Sequence, residues 1–167
     1  NYVNTKFGTK YENSSIKIYE KQNNCKVLSD TNFYKKSLFD YNNNNWSIGG
    51  RVDGYLEDGT IIEVKNRIYR LFYKLRDYEK VQIMSYMYIF NSKKAILIEN
   101  CNKKSKDEIN CIEVDFDIDF YETIIMKLKS FAVFFHNFME NIDFKTALLF
   151  GDDDILSQFE SYIKKVV

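Results

Sequence analysis

Residues 50 to 65 read GRVDGYLEDGTIIEVK, Gly50 through Lys65, and place two carboxylates and a lysine in a segment with the composition of a tight hairpin. Val, Ile, Tyr and Leu dominate its two halves, and between them Glu57-Asp58-Gly59 has the make-up of a three-residue loop, a type I turn closed by a left-handed glycine. With that loop Leu56 opposes Thr60, and counting outward puts Asp53 across from Glu63. Opposed residues share a face, and alternation along the strand brings Lys65 to the same side. Val52, Leu56, Ile62 and Val64 then point the other way, so one face is apolar and the other carries Asp, Glu and Lys. A two-residue Asp58-Gly59 loop would shift the register by one and split the three charges.

Two carboxylates so close repel, and both ionise readily only when a cation neutralises them. A hard divalent ion such as Mg²⁺ suits the role, since it is held by one or two carboxylates with waters and phosphate oxygens. A lysine beside it can position or deprotonate an attacking water, which is the chemistry of metal-assisted phosphodiester hydrolysis. The plain alternative is a surface hairpin with one cross-strand ion pair, worth a few tenths of a kcal/mol, or about 0.3. The apolar opposite face favours the first reading, because a charged patch on a core hairpin needs a reason.

Asp53 followed by Glu63-Val64-Lys65 resembles the D…ExK signature of the PD-(D/E)XK nuclease superfamily. Gln82-Ile83-Met84-Ser85-Tyr86 resembles the QxxxY motif of its RecB-like and lambda-exonuclease-like branches. Phe7-Gly8-Thr9-Lys10-Tyr11-Glu12 with Tyr19-Glu20 resembles the first helix of the YqaJ-type viral recombinase branch. Where such proteins commonly have Ser-Pro-Asp-Gly, this chain has Arg51-Val52-Asp53-Gly54. The resemblance implies a restriction-endonuclease-like core and a Mg²⁺-dependent deoxyribonuclease, with Mn²⁺ as a substitute ion. It implies that Asp53, Glu63 and the Val64 carbonyl hold the metal, that Lys65 serves the water, that Gln82 supports it, and that Glu12 reaches the metal or its water. It further implies exonuclease action on duplex or single-stranded DNA, work beside a single-strand annealing protein, and homo-oligomers in some relatives. Arg51 is a candidate for the 5′-phosphate. The rival readings are an inactive nuclease-fold module for DNA binding or assembly, and an endonuclease or RNA-end nuclease on the same scaffold.

The chain has 167 residues and is 45% hydrophobic, which suits one domain, 1–167, with a substantial core. No apolar run is long enough to span a bilayer and the start has no signal-sequence character, so a soluble intracellular protein of cytoplasm, nucleus or viral factory is expected, without membrane partners. Because residue 1 is Asn and not Met, the true start is expected to lie upstream. Net charge is zero, yet residues 1–106 hold 19 Lys/Arg against 11 Asp/Glu and residues 107–167 hold 5 against 13. A basic DNA-facing side with an acidic remainder fits that asymmetry, as does a merely solvated charge distribution. Three cysteines, odd in number and without metal spacing, argue against a disulfide framework or a zinc site, and a single histidine excludes a site built on a His pair or a His-Cys cluster within one chain. Asparagine and lysine richness with no proline points to an AT-rich genome, and with the motifs above to a large DNA virus or a parasite.

Along the chain, residues 8–22 read as a helix with Thr9 as cap and Glu12 completing a capping box, which competes with a functional role for Glu12. Cys25–Leu28 and Phe33–Tyr41 read as strands, 42–45 as a turn, and Trp46 as the start of another strand, buried or base-stacking. Asn66 to Arg76 interleaves cations with aromatics. It reads either as a phosphate-contacting ledge using Arg67, Arg70 and Lys74, or as a helix with a solvated basic face. Residues 77–90 form a helix with Gln82 and Tyr86 on one face, Tyr86 being a further nucleic-acid candidate. Lys94–Asn100 and Ile109–Val114 are strands joined by a polar turn over 102–107. A long helix carries the stripe Ile124, Leu128, Phe131, Phe135 and Phe138, expected to cover the sheet, and includes His136 at its edge. Gly151 ends a short helix, and Asp152-Asp153-Asp154 open the last one as a cap. The class is α/β (α+β), a mixed central β-sheet flanked by helices.

Overall fold

The computed structural model describes residues 2–101 and 108–166, with the side chains of 11–101 and 108–165. The elements in order are α1 (Tyr2–Asn23), β1 (Tyr34–Tyr41), β2 (Asn44–Gly50), β3 (Gly54–Tyr55), β4 (Ile61–Arg67), α2 (Asp77–Phe90), β5 (Lys94–Cys101), β6 (Ile109–Asp115), α3 (Ile118–Glu140), α4 (Ile142–Phe150) and α5 (Asp153–Val166). They divide into two compact units, residues 1–36 with 48–117 and residues 37–47 with 118–167. The expected turn over 102–107 lies outside the described residues.

The first unit is built on a mixed sheet of order β3-β4-β5-β6. β3 and β4 are antiparallel with Gly54 opposite Ile62 and Tyr55 opposite Ile61. The loop between them is the three-residue one: Leu56 and Thr60 remain bonded, N to O at 2.9 Å, and Gly59 takes φ +83°. That positive φ costs glycine little and other residues more, so Gly59 fixes the register. β4 and β5 run parallel through the α2 crossover, and β5 pairs antiparallel with β6. β5 is buried almost throughout, as a central strand requires.

α1 supplies the layer on the apolar face. Its Ile16 and Tyr19 pack with Val27, Ile62, Val64 and Ile98, with Leu56 at the margin. Ser15 on the same helix is fully buried and its hydroxyl donates to Asn66 Oδ1 at 3.0 Å while accepting from Asn100 Nδ2 at 2.9 Å, so the helix is keyed to β4 and β5 by polar as well as apolar contacts. Because α1 begins at Tyr2, Thr9 and Glu12 lie inside the helix and the capping-box reading of Glu12 does not hold. Cys25 to Val27 form no strand, and Leu28 alone makes an antiparallel bridge to Tyr55.

In the second unit the tip of the β1–β2 hairpin turns on Asn42 and Asn43, both at positive φ, which asparagine tolerates better than most residues. Trp46 stacks on Phe39 there with ring centroids 6.3 Å apart. The aromatic residues of α3 divide: Phe134 stacks on Tyr162 at 3.7 Å and Phe138 lies against Phe144 and Phe159, while Phe135 stacks on Phe131 and meets Trp46 edge-on. His136 contacts Tyr41 edge-on and Asn42. Gly151 caps α4, and Asp152 Oδ1 accepts from the backbone N–H of Asp154 and Ile155, so the acidic run is a helix start.

Candidate active site

The register Gly54–Ile62 continues to Asp53 opposite Glu63. β3 stops one residue short of that pair, and the N–H of Val64, which faces the vacated ladder position, donates instead to Asp53 Oδ2 at 2.7 Å. The N–H and C=O of one strand residue face the same neighbour, so the Val64 carbonyl lies on the Asp53 side. The Val64 side chain goes into the core.

Glu63 is buried, 3% exposed. Its Oε1 accepts from Lys65 Nζ at 2.7 Å and from Gln82 Nε2 at 2.9 Å, and Lys65 also donates to Gln82 Oε1 at 2.8 Å. Gln82 Nε2 in turn donates to the Tyr86 hydroxyl at 3.0 Å. Tyr86 can lie so close to β2 because residue 50 is glycine: a Cβ there would fall 2.4 Å from Tyr86 Cε1. The second carboxylate oxygen, Glu63 Oε2, is buried and has no hydrogen-bond partner among the described residues. A lone pair left that way is costly unless a ligand takes it.

The electrostatics agree. Burial, then the charge of Asp53, lifts the Glu63 carboxyl to about 7 against the pull of Lys65. Burial and Asp53 likewise lift Glu12 to about 7, and burial raises Asp53 itself. Three acids on separate elements, α1, the bend before β3, and β4, thus resist sharing negative charge. Burial works against the Lys65 charge, but Glu63 and Asp53 outweigh it and raise its affinity for the proton, so Lys65 is an ammonium group here. Among the described residues no three His, Cys, Asp or Glu side chains are gathered closely enough to hold an ion alone. The donors that fit are two carboxylates and a carbonyl, an oxygen set suited to a hard ion completed by water and substrate oxygens.

Arg67 is not part of a phosphate-contacting face. It closes β4 from inside, with its guanidinium 2.7 Å from Glu79 and 2.8 Å from Glu99, all three buried. Residues 68–76 form a non-helical loop, so the alternative basic helical face is absent as well. The geometry that sequence reading missed is this pair of buried acids. The available signal was Glu99 in the apolar run of β5, whereas Glu79 lies in the polar first turn of α2 and gave none. Arg70, Lys74 and Arg51 are exposed, while Tyr86 is half-buried against Gln82.

No protein-family model and no curated protein sequence matches the chain. Its fold matches solved structures. It is similar to an alkaline exonuclease of Laribacter hongkongensis solved in complex with dAMP, with TM-score 0.69 and 15% identity over 88% of this chain and 75% of that one. It is also similar to a phage-related exonuclease of Haemophilus somnus 129PT, with TM-score 0.53 and 14% identity over 71% and 64%. A third likeness is to SSO0001, with TM-score 0.54 and 20% identity over 78% of this chain. The chain spans 59% of the length of SSO0001. The chain therefore shares with these exonuclease structures the fold of a mixed sheet flanked by helices. Among the described residues no helix is long and apolar enough to cross a membrane.

Proposed function

We propose that this chain is a divalent-metal-dependent deoxyribonuclease that removes nucleotides from DNA ends during recombination, repair or replication. One observation carries the reading: Asp53 and Glu63 are held side by side with an unpartnered, buried carboxylate oxygen, Glu63 Oε2, between charged groups that cannot all ionise without a cation. The likeness to exonuclease folds supports the choice of substrate and of end-directed action.

Asp53, Glu63 and the Val64 carbonyl would hold Mg²⁺, with Mn²⁺ a substitute. When bound, the ion supplies Lewis-acid polarisation of the scissile phosphate and stabilises the leaving oxygen. Lys65, an ammonium group bonded to Glu63 and Gln82, serves as a donor that orients the attacking water or a phosphate oxygen. Gln82, anchored by Tyr86, keeps Lys65 and Glu63 in one arrangement, and Glu12 accepts a proton or a water hydrogen from the α1 side. Arg51, exposed two residues before Asp53, suits an incoming terminal phosphate. A single-strand annealing protein and further copies of the chain are partners compatible with this role.

The test is digestion of end-labelled linear duplex and of covalently closed circles with Mg²⁺, Mn²⁺ or EDTA, comparing native protein with Lys65→Ala. Metal-dependent loss of the linear DNA alone, abolished by the substitution, is the expected result. Cutting of circles would make the reaction endonucleolytic. If neither is cut while Lys65→Ala binds DNA as the native protein does, the chain is a binding module and the proposal fails.

A further inference from the structure

The loop that leaves β4 is more ordered than a solvated linker has cause to be. Leu71 is buried, and the fully buried Glu99 accepts from the backbone N–H of Phe72 at 3.3 Å and of Tyr73 at 3.0 Å while also binding Arg67 and Asn110. These bonds hold Tyr73 at φ +56°, a left-handed conformation that a bulky residue keeps only when its surroundings impose it. The Phe72 ring then serves as a bearing for three guanidinium groups. Arg67 lies 4.7 Å from its centroid, Arg76 4.8 Å and Arg70 5.6 Å, and Arg76 also lies 4.9 Å from the Tyr78 ring.

With its backbone pinned, the loop presents its outer side chains to solvent. Tyr69 is 78% exposed and Tyr73 58%, with the cations Arg70 and Lys74 interleaved. From Lys65 to Arg76 there is no acidic residue. Two tyrosines thus show ring surface to solvent on a loop that also carries cations. This is the arrangement by which proteins hold unpaired nucleotides, rings on base faces and cations on the backbone. Tyr69 stands four residues beyond Lys65, at most about 13 Å along an extended strand, so a nucleotide stacked there would be near the one at the carboxylates.

We propose that Tyr69 and Tyr73, on the loop that Glu99 holds at Phe72 and Tyr73, form a stacking ledge for single-stranded DNA next to the catalytic hairpin, with Arg70 and Lys74 on its phosphates. The proposal rests on the nuclease reading of that hairpin and adds a preference for frayed or single-stranded ends. A backbone held in place before binding loses little freedom on binding, which favours affinity without base selection.

The experiment is fluorescence anisotropy of labelled oligo(dT) in EDTA with native protein, Tyr69→Ala, Tyr73→Ala, the double variant and the two Tyr→Phe variants. In parallel, metal-dependent hydrolysis of thymidine 5′-p-nitrophenyl phosphate reports on the centre itself. Each alanine should weaken oligo(dT) binding by about 5- to 100-fold. Phenylalanine should restore it, and hydrolysis of the small diester should stay within about twofold, as expected of exposed side chains away from the reacting atoms. A double variant that binds oligo(dT) as native protein does overturns the ledge, as does a loss that phenylalanine fails to restore. Failure of native protein to hydrolyse the small diester counts against the nuclease reading alone, because binding in EDTA decides the ledge by itself.

Discussion

Lys65 and Gln82 bond each other at 2.8 Å and both donate to the same oxygen of Glu63, which leaves the other oxygen, Oε2, buried and open. The first oxygen is fixed by the protein and the second is reserved. Lys65→Met removes the one cation bonded to Glu63 among the described residues while keeping the stem's packing. We expect catalysis to fall by about 10²- to 10⁴-fold. In metal-free buffer at pH 8 the fold should lose about 2 kcal/mol, since a buried carboxylate loses its counter-charge. Single-turnover kinetics and thermal melts check the two effects; unchanged catalysis would remove Lys65 from the mechanism.

The shared burden of charge among Glu12, Asp53 and Glu63 makes stability depend on pH in a defined direction. Glu63 has an ordinary value of 4.5 and a folded value of about 7, so between those values the folded state holds a proton that the unfolded chain has released. Its stabilisation is full below 4.5 and is lost as pH rises through 7, a loss of up to about 3 kcal/mol from this group. Metal-free protein should therefore melt lower at pH 8 than at pH 5. Mg²⁺ or Mn²⁺ should raise the melting temperature at pH 8 and have little effect at pH 5. A metal response of equal size at both pH values would sink this account.

Asp53→Asn follows from the same repulsion but separates stability from function. The amide oxygen can still accept from Val64 N, so the local bond survives. Removing the charge should stabilise the metal-free protein at pH 8 by about 1 kcal/mol, because Glu12 and Glu63 both feel Asp53. The variant should lose the metal-induced rise in melting temperature together with nuclease activity. Titration calorimetry with Mn²⁺ reads the binding directly.

Much of this was legible in advance for a physical reason. The hairpin register depends on turn chemistry local to Glu57, Asp58 and Gly59, and alternation then dictates which charges meet. The α2 helix likewise runs from Asp77 to Phe90 as its sequence suggests. Arg67 was misjudged because its partners are distant: Glu79 belongs to α2 and Glu99 to β5, and only the parallel β4–β5 pairing brings them together.

The distinction between Arg67 and Arg70 can be measured. Arg67→Lys cannot keep both buried carboxylates paired, so it should cost about 3 kcal/mol of stability. At temperatures where it remains folded, its affinity for oligonucleotide should match native protein. Arg70→Ala should do the reverse, with unchanged melting and a salt dependence of binding lowered by about one phosphate contact. If Arg67→Lys instead weakens binding in step with salt, the buried role assigned to it is wrong.

Gly50 offers a test of whether Gln82 must be braced. Alanine there puts a Cβ 2.4 Å from Tyr86 Cε1 and 3.0 Å from Cδ1, so the ring must swing away from β2. The cost of such overpacking is about 1 to 3 kcal/mol. More telling is the kinetic consequence, because a displaced Tyr86 hydroxyl no longer accepts from Gln82 Nε2, and the amide is then held only by Glu63 and Lys65. Gly50→Ala should lower kcat by about tenfold with little change in KM, as expected when a group is lost from the arrangement rather than from binding. Tyr86→Phe, which keeps the ring and deletes the hydroxyl, should lower kcat to the same extent without the stability cost. If Tyr86→Phe is fully active, the hydroxyl does not position Gln82, and the effect of Gly50→Ala reduces to packing alone.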